Sequence, residues 1–323
     1  MTLHLPDETE PPTASPDSDM DGSPNPPAAP SATADPVPAG PLVAALAGAL
    51  DKIAAAAGEP DPVEMVHDAR KAMKEYRALL RLIPGREARA ARQETATAAR
   101  DLASARDHTA ALEALSALHE ARRIGAGDFK AAQALIGAEA PPPDTLATCR
   151  EALDSFVVTA RARLATGLAA AAVAADLAEG LAQAYRRARR GRFGDAEAVH
   201  ETRKDVVTHR YQMSFVAARF GGRGARRAVR AQALRDLLGA HQDMEILRPL
   251  VKEIASGLGP PATKRVENAV KRQQKELRRT ARRLHAKLFR RKPKAFARAY
   301  RDVVARGTRR GGDGGPAAES PPG

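Results

Sequence analysis

The chain has 323 residues, a formal net charge of +13 and a single cysteine, Cys149, with an isoelectric point of about 10.3. One cysteine excludes an intramolecular disulfide and fits a reducing compartment. Hydrophobic residues make up 43% of the chain, but Trp is absent and aromatics reach only 3%, so the core must be Ala, Leu and Val, which favours packed helices over a sheet.

Residues 1–39 are rich in Pro, Ala, Ser and Asp, show no apolar periodicity and are expected to be disordered. This leader holds seven acids (Asp7, Glu8, Glu10, Asp17, Asp19, Asp21 and Asp35) and no Lys or Arg, so the remainder carries +20. A folded part that basic points to a polyanionic partner: nucleic acid, an anionic membrane or polyphosphate. The acidic leader would compete with such a partner for the basic face. Acids and prolines stand where a secretory leader has a basic region and an apolar run. No apolar stretch reads as long enough to span a bilayer, the Ala-rich segment 165–176 being weakly hydrophobic and interrupted by Asp176. The expected location is the cytoplasm, with no membrane partner.

Helical patterns follow one another over Pro41–Ala57, Pro62–Ile83, Arg86–Ile124, Asp128–Ile136, Pro143–Leu177, Leu177–Arg190, Ala196–Phe220, Arg223–Ile254, Pro261–Arg290 and Lys294–Ala305, separated by Gly and Pro. Strand patterns are nearly absent, so the fold class is all-α. Asp61 before Pro62 is a helix start, and Pro84-Gly85 a stop. Asp195 is the matching start after Gly191 and Gly194, and Gly221-Gly222 the matching stop. Residues 304–323 are expected to form a second disordered tail.

Two of these helices repeat a phrase. VHDARKAMKEYRALLRLI occupies residues 66–83 and VHETRKDVVTHRYQMSFV residues 199–216, with His67 and His200 offset by 133. Each is followed by a similar ending, LASARD at 102–107 and LLGAHQD at 237–243, in which Asp107 and Asp243 are offset by 136. Two anchors in one order at nearly one offset indicate an internal duplication, with halves of about 41–171 and 172–303 related by an approximate two-fold. Asp107 and Asp243 read as capping or Arg-pinning residues rather than catalytic ones.

At 100° per residue, Val66, Ala69, Met73, Tyr76, Leu80 and Ile83 form one apolar stripe. His67, Arg70, Lys74, Arg77 and Arg81 form a second stripe one residue on, flanked by Lys71. In the second copy Val199, Val206, Met213 and Val216 are apolar, while His200, Arg203 and Arg210 are polar, with Lys204 beside them. Val207 stands where Lys74 would be. A basic helix face is often merely solvated. These stripes, however, have few compensating acids, and like charges one turn apart repel by a few tenths of a kcal/mol per pair, roughly. A bound anion would recover that cost. Each histidine stands one turn from an Arg, so beside phosphates it would gain charge as the ligand arrives. Neither has a partner at metal-ligand spacing on its face, and no metal is expected.

A late helix is crowded with cations, and Lys264, Lys271, Lys275, Arg278 and Arg282 share one face. Arg186, Arg187, Arg189 and Arg190 close an earlier helix, where the dipole favours positive charge.

The motif His67, Arg70, Lys71, Lys74, Arg77 and its second copy His200, Arg203, Lys204, with the Arg210-Tyr211 pair and LLGAHQD, resembles the two halves of a CHAD domain (conserved histidine α-helical domain). The resemblance spans about residues 40–303. It implies two antiparallel helical bundles about a pseudo-two-fold, with the motif helices lining a basic channel. It also implies binding of long-chain inorganic polyphosphate and location at polyphosphate granules. The ligands carried over are His67, Arg70, Lys71, Lys74, Arg77, His200, Arg203, Lys204 and Arg210; Val207 and Thr208 stand where the family often has a basic residue. Arg81, Lys271, Lys275, Arg278 and Arg282 join them as candidates from the charge pattern. No strand-rich Glu/Lys/Arg segment of the kind found in the CYTH domains that often accompany this family occurs here.

The chemistry of the ligand agrees with that reading. A flexible line of phosphates needs closely spaced Arg and Lys and no stacking platform, and its binding weakens with salt as counterions are released. Aromatic poverty weighs against single-stranded nucleic acid, though not against a duplex held by its backbone, which is the alternative. No acidic metal cluster, Gly-rich phosphate loop or nucleophile motif suggests an enzyme, and no cofactor is expected.

Overall fold

The computed structural model describes residues 40–102, 104–138, 145–221 and 223–312; the acidic leader and residues 313–323 lie outside them. Among the described residues there is no strand. The helices are α1 (Pro41–Ala57), α2 (Pro62–Leu80), α3 (Arg86–Asp101), α4 (Ser104–Glu120), α5 (Ala126–Gly137), α6 (Thr145–Arg163), α7 (Ala169–Val173), α8 (Leu177–Arg189), α9 (Ala196–Phe220), α10 (Arg223–Glu253), α11 (Ala255–Leu258), α12 (Pro260–Leu288) and α13 (Pro293–Gly312).

The start signals act as their chemistry dictates. The Asp61 carboxylate accepts from the backbone N–H of Val63 at 2.8 Å and of Glu64 at 3.4 Å, and Pro62 fills the first position of α2. Asp176 caps α8 through Glu179 N at 3.0 Å, and Asp195 caps α9 through Ala198 N at 2.8 Å. Gly85, at φ +100°, turns the chain from α2 into α3.

Both apolar stripes are buried: Val66, Ala69, Met73, Tyr76, Leu80 and Ile83 in α2 and the turn after it, and Val199, Val206, Met213 and Val216 in α9. Leu102 and Leu238, the paired residues of the repeated ending, belong to the same hydrophobic cluster. That cluster also takes in α1, α6, α8, the first half of α10, the end of α12 and α13. A second cluster is built by Leu115 and Leu118 of α4, Ile136 of α5, Leu247 and Val251 of α10, and Val266 and Val270 of α12. Each core therefore draws on both sides of residue 171, and the two do not follow the division of the sequence into 41–171 and 172–303. The reason is length. At 1.5 Å per residue α10 and α12 each run roughly 45 Å, so their apolar stripes outreach α9 and meet α4 and α5 beyond it.

Three expectations are corrected. The pattern over Arg86–Ile124 divides into α3 and α4. The tail placed at 304–323 is helical as far as Gly312, because Val303 is buried and Val304 packs on the core. Thr148–Val173 is, by length and composition alone, apolar enough to cross a membrane, contrary to the reading that no segment is. In this fold Leu153, Val157, Ala160, Leu164, Leu168 and Ala172 of that stretch join the core, and a π-type turn over Leu164–Leu168 interrupts it.

Candidate anion-binding cavity between the motif helices

The two motif helices are pinned to each other. Tyr211 Oη donates to the Lys71 carbonyl at 3.0 Å, and Gln212 Nε2 donates to the Ala78 carbonyl at 3.0 Å. The second bond serves a carbonyl at the end of α2, where the chain tightens and Leu82 N bonds Leu79 O instead. Between these bonds Ala78, Val207 and Tyr211 form a small buried contact. Val207 thus has a physical reason for departing from the basic pattern: a cation there would be buried against the partner helix, at a cost of several kcal/mol, roughly.

Held this way, α2 and α9 enclose, with α3, a cavity of about 230 Å³. From α2 and its last turn come Arg70, Met73, Lys74, Arg77 and Arg81; from α9 come His200, Arg203, Lys204, Val207 and Thr208. Ala96, Ala99 and Arg100 of α3 complete the wall. Small residues on α3 leave the space open, and the cations fill its rim.

Several of these side chains are held in position by backbone or neighbouring helices. Arg70 Nη1 donates to the Ala99 carbonyl at 3.0 Å. The His200 ring lies 2.8 Å, Nδ1 to Oε1, from the Gln242 amide of α10. With Gln242 accepting, Nδ1 carries a proton and Nε2 faces the other way. Arg203 also passes close to Gly239 of α10, where a Cβ would stand in ordinary contact, 3.8 Å from its guanidinium. Asp243, beside Gln242, is half-buried; the Asp107 side chain lies outside the described residues.

The cavity's charge is crowded. Arg77 is held below its ordinary value, first by burial and then by the charges of Arg81 and Arg100. Arg81 is also lowered, by burial and then by Arg187, while Asp205 and Glu201 act in the opposite sense. Asp205 is raised by its burial, against the pull of Arg187 and Arg81. Guanidinium groups stay protonated through such shifts. The repulsion is what an anion in the cavity would relieve.

Seven candidates line this one cavity: Arg70, Lys74, Arg77, Arg81, His200, Arg203 and Lys204. The others lie elsewhere. His67 is exposed, its Nδ1 3.8 Å from Glu64 Oε2 one turn back, so a carboxylate does share its face. Lys71 pairs with Asp68 at 3.2 Å on the side of α2 turned to α1. The Arg210 guanidinium lies over the Tyr211 ring, 4.3 Å from its centroid. On α12, Lys271 stands 3.7 Å from Glu267, Arg278 donates to the Gly194 carbonyl at 2.9 Å, and Lys275 and Arg282 are exposed. Arg100 is the cavity residue that the motif helices did not reveal. Its only signal in the sequence was a cation just before the repeated LASARD ending.

The lining holds no aromatic ring besides the His200 imidazole. Among the described residues no group of three or more His, Cys, Asp or Glu is placed to hold a metal ion. The arrangement can cradle an anion by charge and hydrogen bonding from three helices.

The CHAD domain model matches residues 44–252, from α1 to the end of α10, a shorter span than the 40–303 of the sequence resemblance. The structure of PptA from Streptomyces chartreusis is similar, with a TM-score of 0.50, 78% of this chain and 98% of that chain covered, and 19% sequence identity. A likeness at that identity speaks for the fold alone. A search of curated proteins gives no match. The family's model covers well over half of the chain and both motif helices, α2 and α9, fall within it: the chain belongs to the CHAD domain family.

Proposed function

We propose that this protein binds inorganic polyphosphate, without catalysis, in the cavity between α2 and α9, and that binding carries it to polyphosphate granules in the cytoplasm. The observation that carries this reading is the convergence of cations from both copies of the motif on one space lacking a stacking platform. Arg70, Lys74, Arg77 and Arg81 face His200, Arg203 and Lys204 across a gap that suits a line of phosphates and offers nothing to a base. Charge-assisted bonds from guanidinium to phosphate are the strong kind. Membership of the CHAD family supports the same ligand.

The test is direct binding of labelled polyphosphate to the full chain and to Lys74→Glu/Arg77→Glu. Binding is expected in the first case and lost in the second, with the helical circular dichroism retained. Unchanged affinity in a folded variant would remove these residues from the site. The exposed cations of α12 favour one alternative, a nucleic-acid backbone. Efficient displacement of polyphosphate by duplex DNA at moderate salt would select it. Release of phosphate from polyphosphate by the pure protein with Mg²⁺ would overturn the non-catalytic reading.

A further inference from the structure

Arg81 has two sides. On one it lines the cavity between the motif helices; on the other it lines a second cavity of about 330 Å³ at the turn after α2. Arg89 and Arg92 of α3 and Arg187 of α8 reach the same space. This places Arg187 in a different role from the dipole cap that its position near the end of α8 suggested. The fold brings α8 close for a specific reason: Gly180 lies so near Leu82 that a Cβ would stand 3.0 Å from its Cα and carbonyl oxygen.

The four cations are only partly offset, with Asp205 of α9 acting on Arg81 and Arg187 from outside the lining. Glu179 is engaged by Arg186 at 2.6 Å, and Asp176 is occupied capping α8; these are the acids of the lining. Arg92 is fixed by donating to the Leu80 carbonyl at 3.1 Å. The Arg187 Nε is buried and has no hydrogen-bond partner among the described residues. The charges feel one another strongly. Arg92 is pushed down to about 10 by burial and then by Arg81, Arg187, Arg89 and Arg77.

We infer that the second cavity continues the anion path of the first through Arg81, so that Arg89, Arg92 and Arg187 select long phosphate chains over short ones. The inference rests on the polyphosphate reading proposed above. A short oligomer is satisfied by the cations between α2 and α9. A longer chain passes Arg81 and adds the α3 and α8 arginines, with further counterion release for each phosphate neutralised.

The experiment compares tripolyphosphate with long-chain polyphosphate on the full chain and on Arg89→Gln/Arg187→Gln. Arg92 is left intact because it holds a backbone carbonyl. The double variant is expected to lose about tenfold or more in affinity for the long chain at 0.1 M salt, with tripolyphosphate affinity within about twofold of the parent, which also shows that the fold is intact. Equal long-chain affinity, or proportionate loss for both probes, would overturn the inference while leaving the first cavity in place. A parent protein that binds neither probe would sink the polyphosphate reading itself, and the inference with it.

Discussion

Salt dependence offers a quantitative test of the cavity, because its cations can be counted. Seven Arg and Lys side chains line it: Arg70, Lys74, Arg77, Arg81, Arg100, Arg203 and Lys204. On a flexible single-stranded polyanion each neutralised phosphate contributes about −0.7 to the slope of log K against log salt. If all seven engage, the slope is about −5, and affinity falls about a thousandfold between 50 and 200 mM salt. Lys74→Gln/Arg77→Gln removes two cations without introducing repulsion. Its slope becomes about −3.5, and the same change of salt costs about a hundredfold. The two lines converge at high salt, where counterion release no longer drives binding. The assay is a fluorescence titration of labelled polyphosphate at four or five salt concentrations. Equal slopes for variant and parent would refute the reasoning, since these two side chains would then neutralise no phosphate. So would a parent slope shallower than about −2, too few contacts for the cavity described.

Three further expectations concern the scaffold. His209, His241 and His285 are buried and held below their ordinary value, chiefly by burial. The unfolded chain therefore takes up protons below about pH 6.5 that the folded chain refuses. Stability is full above that pH and falls as pH drops through it, with His209, the most deeply buried of the three, contributing up to about 1.4 kcal/mol per pH unit. Urea midpoints between pH 7.5 and 5.5 measure this, and a flat profile would contradict it. Arg227 donates to His209 Nε2 at 2.8 Å and to the Leu288 carbonyl at 2.7 Å, and faces the rings of Tyr185 and Phe296. Arg227→Leu is expected to cost about 3 kcal/mol in chemical denaturation, from the lost cation–π contact and the stranded acceptors; a loss below about 1 kcal/mol would show the cluster to be dispensable. Gly224 lies where α9 and α10 cross, and a Cβ there would stand 2.7 Å from Ala217 N and 2.8 Å from Met213 O. Both are backbone atoms that cannot step aside, so Gly224→Ala is expected to destabilise by about 1–3 kcal/mol, read as a lowered thermal midpoint.

Much of the fold was legible one helix at a time. The range Ala196–Phe220 was readable to the residue because Asp195 and Gly221 punctuate it. The inward stripe of α2 followed from the spacing of Val66, Ala69, Met73, Tyr76 and Leu80. Other features depended on partners remote in sequence. The helical pattern read to Ala305 runs on to Gly312, where Val303 and Val304 meet a core built by residues remote in sequence. His67 and His200 occupy the same place in the repeat, yet one stands exposed beside Glu64 and the other lies against Gln242 in the cavity.

Helix type, caps and the angle between apolar and basic stripes are local properties, governed by 3.6 residues per turn and by the side chains at each end. They could be read from residues a few positions apart. Which cations meet is not local. It depends on how far α2 and α9 approach and rotate, and that is decided by Ala78, Val207 and Tyr211 fitting together and by two carbonyls that Tyr211 and Gln212 reach. Only after that contact forms do Arg100 of α3 and Arg187 of α8 stand near Arg81, because close packing converts the volumes at one crossing into the positions of every neighbouring helix.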